Sequence, residues 1–185
     1  MAFTVSLSQP ANHTYHVTRR CEGLKGELQD FKLPQWSPGY YGIGDYSRNI
    51  SNFRAADASG HALEWEKVTR NTWRVVASNT PAIELQYDVF GNTSFAANTY
   101  LGEDRGYISP PGMFVHLAGQ LAHAVTVTIE LPAGWKRIST GLEPVKGPAN
   151  TFEAPDFDVL RLPHPAGQPG ILPVRRERRA ALRGD

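Results

Sequence analysis

Strict alternation of apolar and polar residues is the feature that most constrains the fold of this chain. In residues 83–89 every second side chain is apolar and those between are polar or acidic, and residues 125–131 repeat the pattern. Because successive side chains of a β-strand point to opposite faces of its sheet, this period predicts strands with one face on a core and one in water. Shorter stretches of the same kind occupy residues 3–7, 15–17 and 73–75.

Turn-forming residues separate these stretches at short intervals, since the chain holds 17 glycines and 14 prolines. The one candidate helix covers residues 45–53, where Tyr46, Ile50 and Phe53 have helical spacing, but a strand or a turn fits that segment equally well. The pattern predicts an all-β fold, either an antiparallel β-sandwich or a strongly curved two-sheet domain.

Length, charge and cysteine content narrow the class of protein. The 185 residues suit one domain with a tail, and a net charge of +1 argues against nucleic acid as a partner. The single cysteine, Cys21, excludes an internal disulfide framework. No apolar run is long enough for a membrane span, and the first residues lack a signal-peptide pattern, so we expect no membrane partner and a cytoplasmic location.

Catalytic and metal-binding patterns are not evident in the sequence. The six histidines include no His-Glu-x-x-His pair, and His13 and His16 would face opposite sides of one strand. The acidic pair Glu64 and Glu66 has the spacing of a water-facing strand. No nucleophile elbow or phosphate-binding glycine loop is present. We therefore predict no catalytic residue, no metal ligand and no cofactor in this chain.

Residues 33–50 stand out because aromatic residues are combined there with prolines and glycines. Prolines restrict the backbone and glycines permit tight reversals, so the segment is predicted to be a rigid, shaped loop. Aromatic residues on such a loop fit two roles equally well, recognition of a ligand or partner and capping of the core.

A series of motifs in this chain resembles the N-terminal domain of the glycyl aminopeptidases, metallopeptidase family sixty-one of the thermolysin-like clan. The most specific motifs are Leu33-Pro34-Gln35-Trp36-Ser37-Pro38-Gly39-Tyr40-Tyr41 and Tyr46-Ser47-Arg48-Asn49-Ile50. The match continues, in the family's order, with the segments 71–75, 85–89, 100–107, 113–115, 128–135 and 152–158. The resemblance covers residues 1–160.

The resemblance implies a β-rich, non-catalytic domain that precedes a zinc peptidase domain. In the family the zinc ligands and the general base lie in that downstream domain, so zinc is expected only there. Domains of this kind pack on the catalytic domain, normally in the same chain, and help to wall the substrate cleft. The residues of this chain that match family motifs and are candidates for such an interface or cleft lining are Trp36, Tyr40, Tyr41, Tyr46, Arg48, Tyr100 and Arg105.

Residues 161–185 differ in composition from the rest of the chain. Six arginines stand against Glu177 and Asp185, a net charge of +4, whereas residues 1–160 carry −3. We divide the chain into a peptidase-like β domain over 1–160 and a disordered Arg/Pro/Gly-rich tail over 161–185. The mixture of arginine, proline, glycine and alanine suggests the hypothesis that the tail arises from a shifted reading frame or a truncated gene.

Two other functions remain open at this stage. One is a free-standing β-sandwich module that binds peptide or carbohydrate through the aromatic loop 36–46. The other is an enzyme that uses histidine or carboxylate groups without a recognisable motif. The arginine-rich tail is a weak candidate for nucleic acid binding, because no aromatic residue is interleaved with its arginines.

Overall fold

The computed structural model describes residues 1–37, 40–78, 80–93, 98–161 and 172–176, with the side chains of 37, 40, 41 and 172–176 left out. Its strands are β1 (Ala2–Ser6), β2 (Thr14–Glu22), β3 (Leu28–Lys32), β4 (Trp36–Ser37), β5 (Tyr40–Ile43), β6 (Ile50–Asp57), β7 (Trp65–Thr69), β8 (Thr72–Val76), β9 (Ala82–Phe90), β10 (Tyr100–Leu101), β11 (Arg105–Ile108), β12 (His116–Leu117), β13 (Val125–Glu130), β14 (Trp135–Ile138), β15 (Glu143–Pro144), β16 (Thr151–Ala154) and β17 (Leu172–Arg176). A short helix, α1, covers Phe157–Arg161, and 3-10 turns cover Pro10–Asn12, Tyr46–Asn49 and Pro110–Gly112.

These strands form three sheets and one small ribbon, which confirms the predicted all-β fold. The largest sheet has the order β15-β16-β13-β1-β2-β9-β6, a second has the order β12-β3-β8-β7, and a third has the order β10-β11-β17-β14. β4 and β5 form the separate ribbon. The pairing is antiparallel except between β1 and β13, which run parallel.

The alternating segments are strands with the predicted faces. In β9 the side chains of Ile83, Leu85, Tyr87 and Val89 are buried, and the residues between them face outward. β13 shows the same alternation over Val125–Glu130. Local periodicity was therefore sufficient to assign the buried face of these two strands.

An aromatic stack joins the seven-stranded sheet to the β12-β3-β8-β7 sheet. The ring of Phe53 on β6 stacks on Trp73 of β8 at 5.3 Å between centroids and lies 6.2 Å from Tyr87 of β9. Trp65 of β7 meets the same phenylalanine edge-on at 4.9 Å. Because β6 and β9 belong to one sheet and β7 and β8 to the other, these rings pack the two sheets face to face.

The candidate helix over 45–53 is a 3-10 turn at Tyr46–Asn49 followed by the start of β6. The helical spacing of Tyr46, Ile50 and Phe53 has no meaning there, because the chain becomes extended at Ile50. Asn52 takes a left-handed backbone conformation, with a φ of 52°, beside a register shift between Ser51 and Arg54. An irregularity of this kind turns a strand and breaks its period of two.

Two parts of the predicted tail over 161–185, Arg161 and Leu172–Arg176, lie within the described residues. Arg161 ends helix α1, and Leu172–Arg176 forms strand β17 between β11 and β14. A strand edge presents unpaired N–H and C=O groups, so even an unpromising segment gains backbone hydrogen bonds by pairing there. The remainder of the predicted tail lies outside the described residues.

A cross-strand ion pair between β3 and β8 makes stability depend on pH. Arg74 donates from Nε to one oxygen of Asp30 at 2.7 Å and from Nη2 to the other at 2.9 Å. These bonds hold the pKa of Asp30 below its ordinary value. The contribution of this ion pair to stability is therefore complete above the unfolded pKa of Asp30, about 3.9, and is lost as the pH falls through the lower folded pKa.

We accordingly expect the Asp30→Asn variant to be less stable than the parent at pH 7 and to lose less free energy of unfolding on acidification below about pH 4. Urea unfolding at a series of pH values measures both quantities. Asp104→Asn, which changes an exposed acid in a turn, is the control and should leave the pH profile unchanged. If the stability of Asp30→Asn falls with pH in parallel with that of the parent, Asp30 is not the source of this pH dependence and the assignment is contradicted.

Candidate interface surfaces

The ribbon β4–β5 carries an exposed apolar pair. Trp36 and Ile43 are register partners, and their side chains are 45% and 84% exposed. Residues directly opposite one another in a ribbon contact on the same face, so the pair forms one apolar patch in water. The segment predicted to be a shaped aromatic loop contains the two strands of this ribbon. Tyr40 and Tyr41 lie on β5, and their side chains are outside the described part of the structure.

Tyr46 supports this ribbon from inside the protein. Its side chain is only 5% exposed, and the turn Pro110–Gly112 packs against its ring. A Cβ atom on Gly44 would lie 2.6 Å from the ring, so that position requires glycine. The backbone N–H of Gly44 donates to the carbonyl of Gln35 at 2.7 Å and closes the base of the ribbon. Tyr46 is therefore a core residue in this chain, whereas Arg48, two residues later, is exposed.

Tyr100 and Arg105 lie on a second hairpin, formed by β10 and β11. The guanidinium of Arg105 is 5.4 Å from the centre of the Tyr100 ring, a cation–π contact. Arg105 is exposed and Tyr100 is partly buried. The two predicted residues are therefore brought together, as a polar and aromatic pair at the surface.

The hydroxyl of Tyr15, on β2, fixes the β10–β11 hairpin to the core. This hydroxyl donates to the carbonyl of Tyr100 at 2.8 Å and accepts from the backbone N–H of Tyr107 at 3.0 Å. Burial raises the pKa of Tyr15, which keeps the hydroxyl protonated and able to donate. One buried group thus bridges both strands of the hairpin.

Tyr87, on the neighbouring strand β9, has the same role. Its hydroxyl donates to the carbonyl of Met113 at 2.9 Å and accepts from the N–H of Val115 at 3.3 Å. Burial raises its pKa as well. The segment that it holds follows the turn Pro110–Gly112, which contacts Tyr46. Tyr87 therefore fixes the segment after the β10–β11 hairpin to the core, and the turn at the start of that segment packs on Tyr46, which supports the β4–β5 ribbon.

A polar cluster on the outer face of the largest sheet was not predicted. Nδ1 of His16 lies 2.6 Å from Oδ1 of Asp88, and Nδ2 of Asn52 donates to Oδ2 of the same carboxylate at 2.7 Å. Ser6 is the register partner of His16 on the opposite side. The alternation places these side chains on outward faces, but only the strand register makes them neighbours.

Within the described ranges, no group of three or more His, Cys, Asp or Glu side chains is arranged to hold a metal ion. No helix in the described part of the chain is long and apolar enough to cross a membrane.

Comparison with known proteins gives a family and a related fold. The family described as the Peptidase M61 N-terminal domain matches residues 2–161. A crystal structure of an aminopeptidase N family protein from Idiomarina loihiensis superposes with a TM-score of 0.81 at 22% identity, covering 93% of this chain and 29% of that one. The chain thus spans less than a third of that protein, and the likeness concerns the fold.

Weaker similarity extends to an M1 zinc metallopeptidase from Deinococcus radiodurans. A mutant of that protein bound to a Tyr-Ser-Ala substrate gives a TM-score of 0.47 at 14% identity, covering 94% of this chain and 41% of that one. The structure described as the M1 zinc metallopeptidase itself gives 0.44 at 14% identity, covering 94% and 40%. No curated protein matches the chain.

Proposed function

The chain belongs to the Peptidase M61 N-terminal domain family, and on that premise we propose that it is the non-catalytic N-terminal domain of a glycyl-aminopeptidase-like zinc peptidase. In this proposal it packs on the catalytic domain, normally in the same chain, and shapes the mouth of the substrate cleft. Zinc is bound by the catalytic domain alone, and the location is cytoplasmic. Neither nucleic acid nor a membrane is a partner.

The exposed pair Trp36 and Ile43 is the observation that carries this proposal. A ribbon that places a tryptophan and an isoleucine in water gives up the free energy of burying them, roughly 1.5–3 kcal/mol for a fully buried large apolar side chain. Exposed apolar patches on otherwise polar surfaces are typical of interaction sites. The ribbon is also held rigidly, by the buried ring of Tyr46 and the closed base at Gly44, so little conformational entropy is lost on docking.

The pair Arg105 and Tyr100 supports the proposal in a different way. An exposed arginine over a tyrosine ring combines charge with a flat apolar surface, and both residue types are enriched at interface centres. Because Tyr15 holds this hairpin to the core, its geometry is set before any partner arrives.

Binding to an isolated peptidase domain tests the proposal. We expect this chain to bind the zinc catalytic domain of an M61 family peptidase added in trans, and the Ile43→Ala and Trp36→Ala variants to bind at least about tenfold more weakly. Titration calorimetry measures the affinities. Leu28→Ala is the matched control, since Leu28 is also an exposed aliphatic residue, at 52%, but lies on β3. Equal losses for Ile43→Ala and Leu28→Ala would contradict the assigned surface.

A free-standing binding module is the second candidate, and the exposure of Trp36 favours it. A tryptophan on a ribbon also suits stacking on a sugar ring or on a peptide side chain. A glycan and peptide array distinguishes the two: selective binding that is lost in Trp36→Ala, together with no affinity for a peptidase domain, would favour the module. In either case we expect the chain with added zinc to leave glycyl amides intact.

A further inference from the structure

β17 lies between β11 and β14 in the third sheet, in a gap between these two strands that we call the slot. β11 and β14 do not pair with each other, and each instead forms antiparallel pairs with β17 from opposite sides. Leaving out Leu172–Arg176 would expose two strand edges facing a common gap. A gap of one strand's width between two unpaired edges accepts an extended peptide through main-chain hydrogen bonds, whatever its side chains are.

The charges that flank this slot are positive. The register places residue 175 directly between Arg105 of β11 and Arg137 of β14. Both flanking arginines are exposed, and Lys136 lies beside Arg137 on β14. Neither β11 nor β14 contains an acidic residue, and the acids nearest in sequence, Glu103 and Asp104, lie in the turn before β11.

The present occupant suits this environment poorly. An arginine at position 175 is a third cation in the row, and like charges at directly opposed positions destabilise a sheet. By contrast, Leu172 and Val174 lie at positions opposite Ile108 and Gly106, which are both buried, so their apolar character fits.

From this register we propose that the slot between β11 and β14 is a binding site for an extended strand that carries a carboxylate between Arg105 and Arg137 and apolar residues at alternate positions. One arginine on each side of position 175 favours an acidic residue there, because its pairs with Arg105 and Arg137 then change from like to opposite charge. The buried floor at Gly106 and Ile108 selects apolar residues on the other face. The inference goes beyond the proposed packing on a peptidase domain, and its test needs no such domain.

Charge reversal within the full chain tests this proposal. We expect Arg175→Glu to slow hydrogen exchange of the backbone amides of β17 and β11 by about three- to tenfold at low salt. The gain should vanish in about 1 M salt, which screens exposed charges. Arg178→Glu makes the same change of net charge three residues further along and should leave these amides unchanged. Mass spectrometry of quenched peptides measures the exchange.

Two further variants keep the result unambiguous. Arg105→Glu and Arg137→Glu, each with Arg175 kept, should also slow hydrogen exchange in β17. When either is combined with Arg175→Glu, exchange in β17 should be faster than in Arg175→Glu alone, because two acidic residues then oppose each other. Equal effects of Arg175→Glu and Arg178→Glu would overturn the proposal, because net charge and not the slot would then be responsible. No change in any charge variant would overturn it as well.

Discussion

Replacing Arg19 by methionine is expected to raise the free energy of unfolding by about 1–4 kcal/mol. Arg19 points into the core from β2 and has no exposed surface. Its Nη2 reaches the sulfur of Met1 at 3.2 Å, but within the described part of the chain Nε and Nη1 have no hydrogen-bond partner. Burying a charge without a full set of partners costs more than its contacts return.

The surroundings of Arg19 offset only part of this cost. Its guanidinium lies 4.8 Å from the centre of the Phe31 ring and 5.6 Å from that of Phe3, and such contacts are worth roughly 0.5–2 kcal/mol. Burial lowers the pKa of Arg19, and the nearby Cys21 and Tyr87 oppose that effect in part. A methionine of similar length fills the same space between the rings without a charge.

Chemical denaturation of three variants checks this prediction. Arg19→Met should gain stability, whereas Arg19→Ala should lose it because of the cavity that it leaves. Arg20→Met is the matched control: the next residue of β2 faces water and pairs with Glu84 at 2.8 Å, so its replacement should change the free energy of unfolding little. If Arg19→Met proves as unstable as Arg19→Ala, the arginine has a stabilising role that burial and contacts do not reveal.

The second large effect is expected at Gly106. A Cβ atom at this position would lie 2.6 Å from the hydroxyl of Tyr15 and 3.3 Å from Cδ1 of Leu101. The hydroxyl cannot move aside easily, because it bridges Tyr100 and Tyr107. We therefore expect Gly106→Ala to lower the free energy of unfolding by about 3 kcal/mol, through overpacking and the loss of these hydrogen bonds.

A double-mutant cycle separates these causes. Tyr15→Phe alone removes the bridging hydroxyl and should cost about 1–3 kcal/mol. In that background the main obstacle to a Cβ atom is gone, so the added cost of Gly106→Ala should fall to about 1 kcal/mol. Urea unfolding of the parent, both single variants and the double variant gives the coupling energy. Additive costs would mean that the hydroxyl is not what excludes a side chain at Gly106.

Strand identity was accessible from the sequence because it depends on neighbours in the chain. The alternation at Ile83, Leu85 and Val89 sorted buried from exposed side chains without knowledge of any partner strand. It also places Arg19 on the same face as Tyr15 and Val17, but composition gives no reason to expect an arginine inside a core.

The candidate surface was located by sequence only in outline. The aromatic segment was recognised from its prolines and glycines, yet nothing local distinguishes Trp36, which is exposed, from Tyr46, which is buried. That difference arises because the turn Pro110–Gly112, more than sixty residues away, packs on Tyr46. The strand at Leu172–Arg176 was missed for a similar reason, since the edges of β11 and β14 hold it there.

By itself the sequence determined the all-β class, the inward face of the long strands and, through its series of motifs, the family. These properties depend on the period of two and on short residue patterns, which are local. The tertiary structure alone decided which strands are neighbours: the parallel pair β1 and β13, the row of His16, Asp88 and Asn52, and the slot filled by β17. Pairing joins segments that are far apart in the chain, so the edges and hydrogen bonds that select a partner exist only in the folded protein.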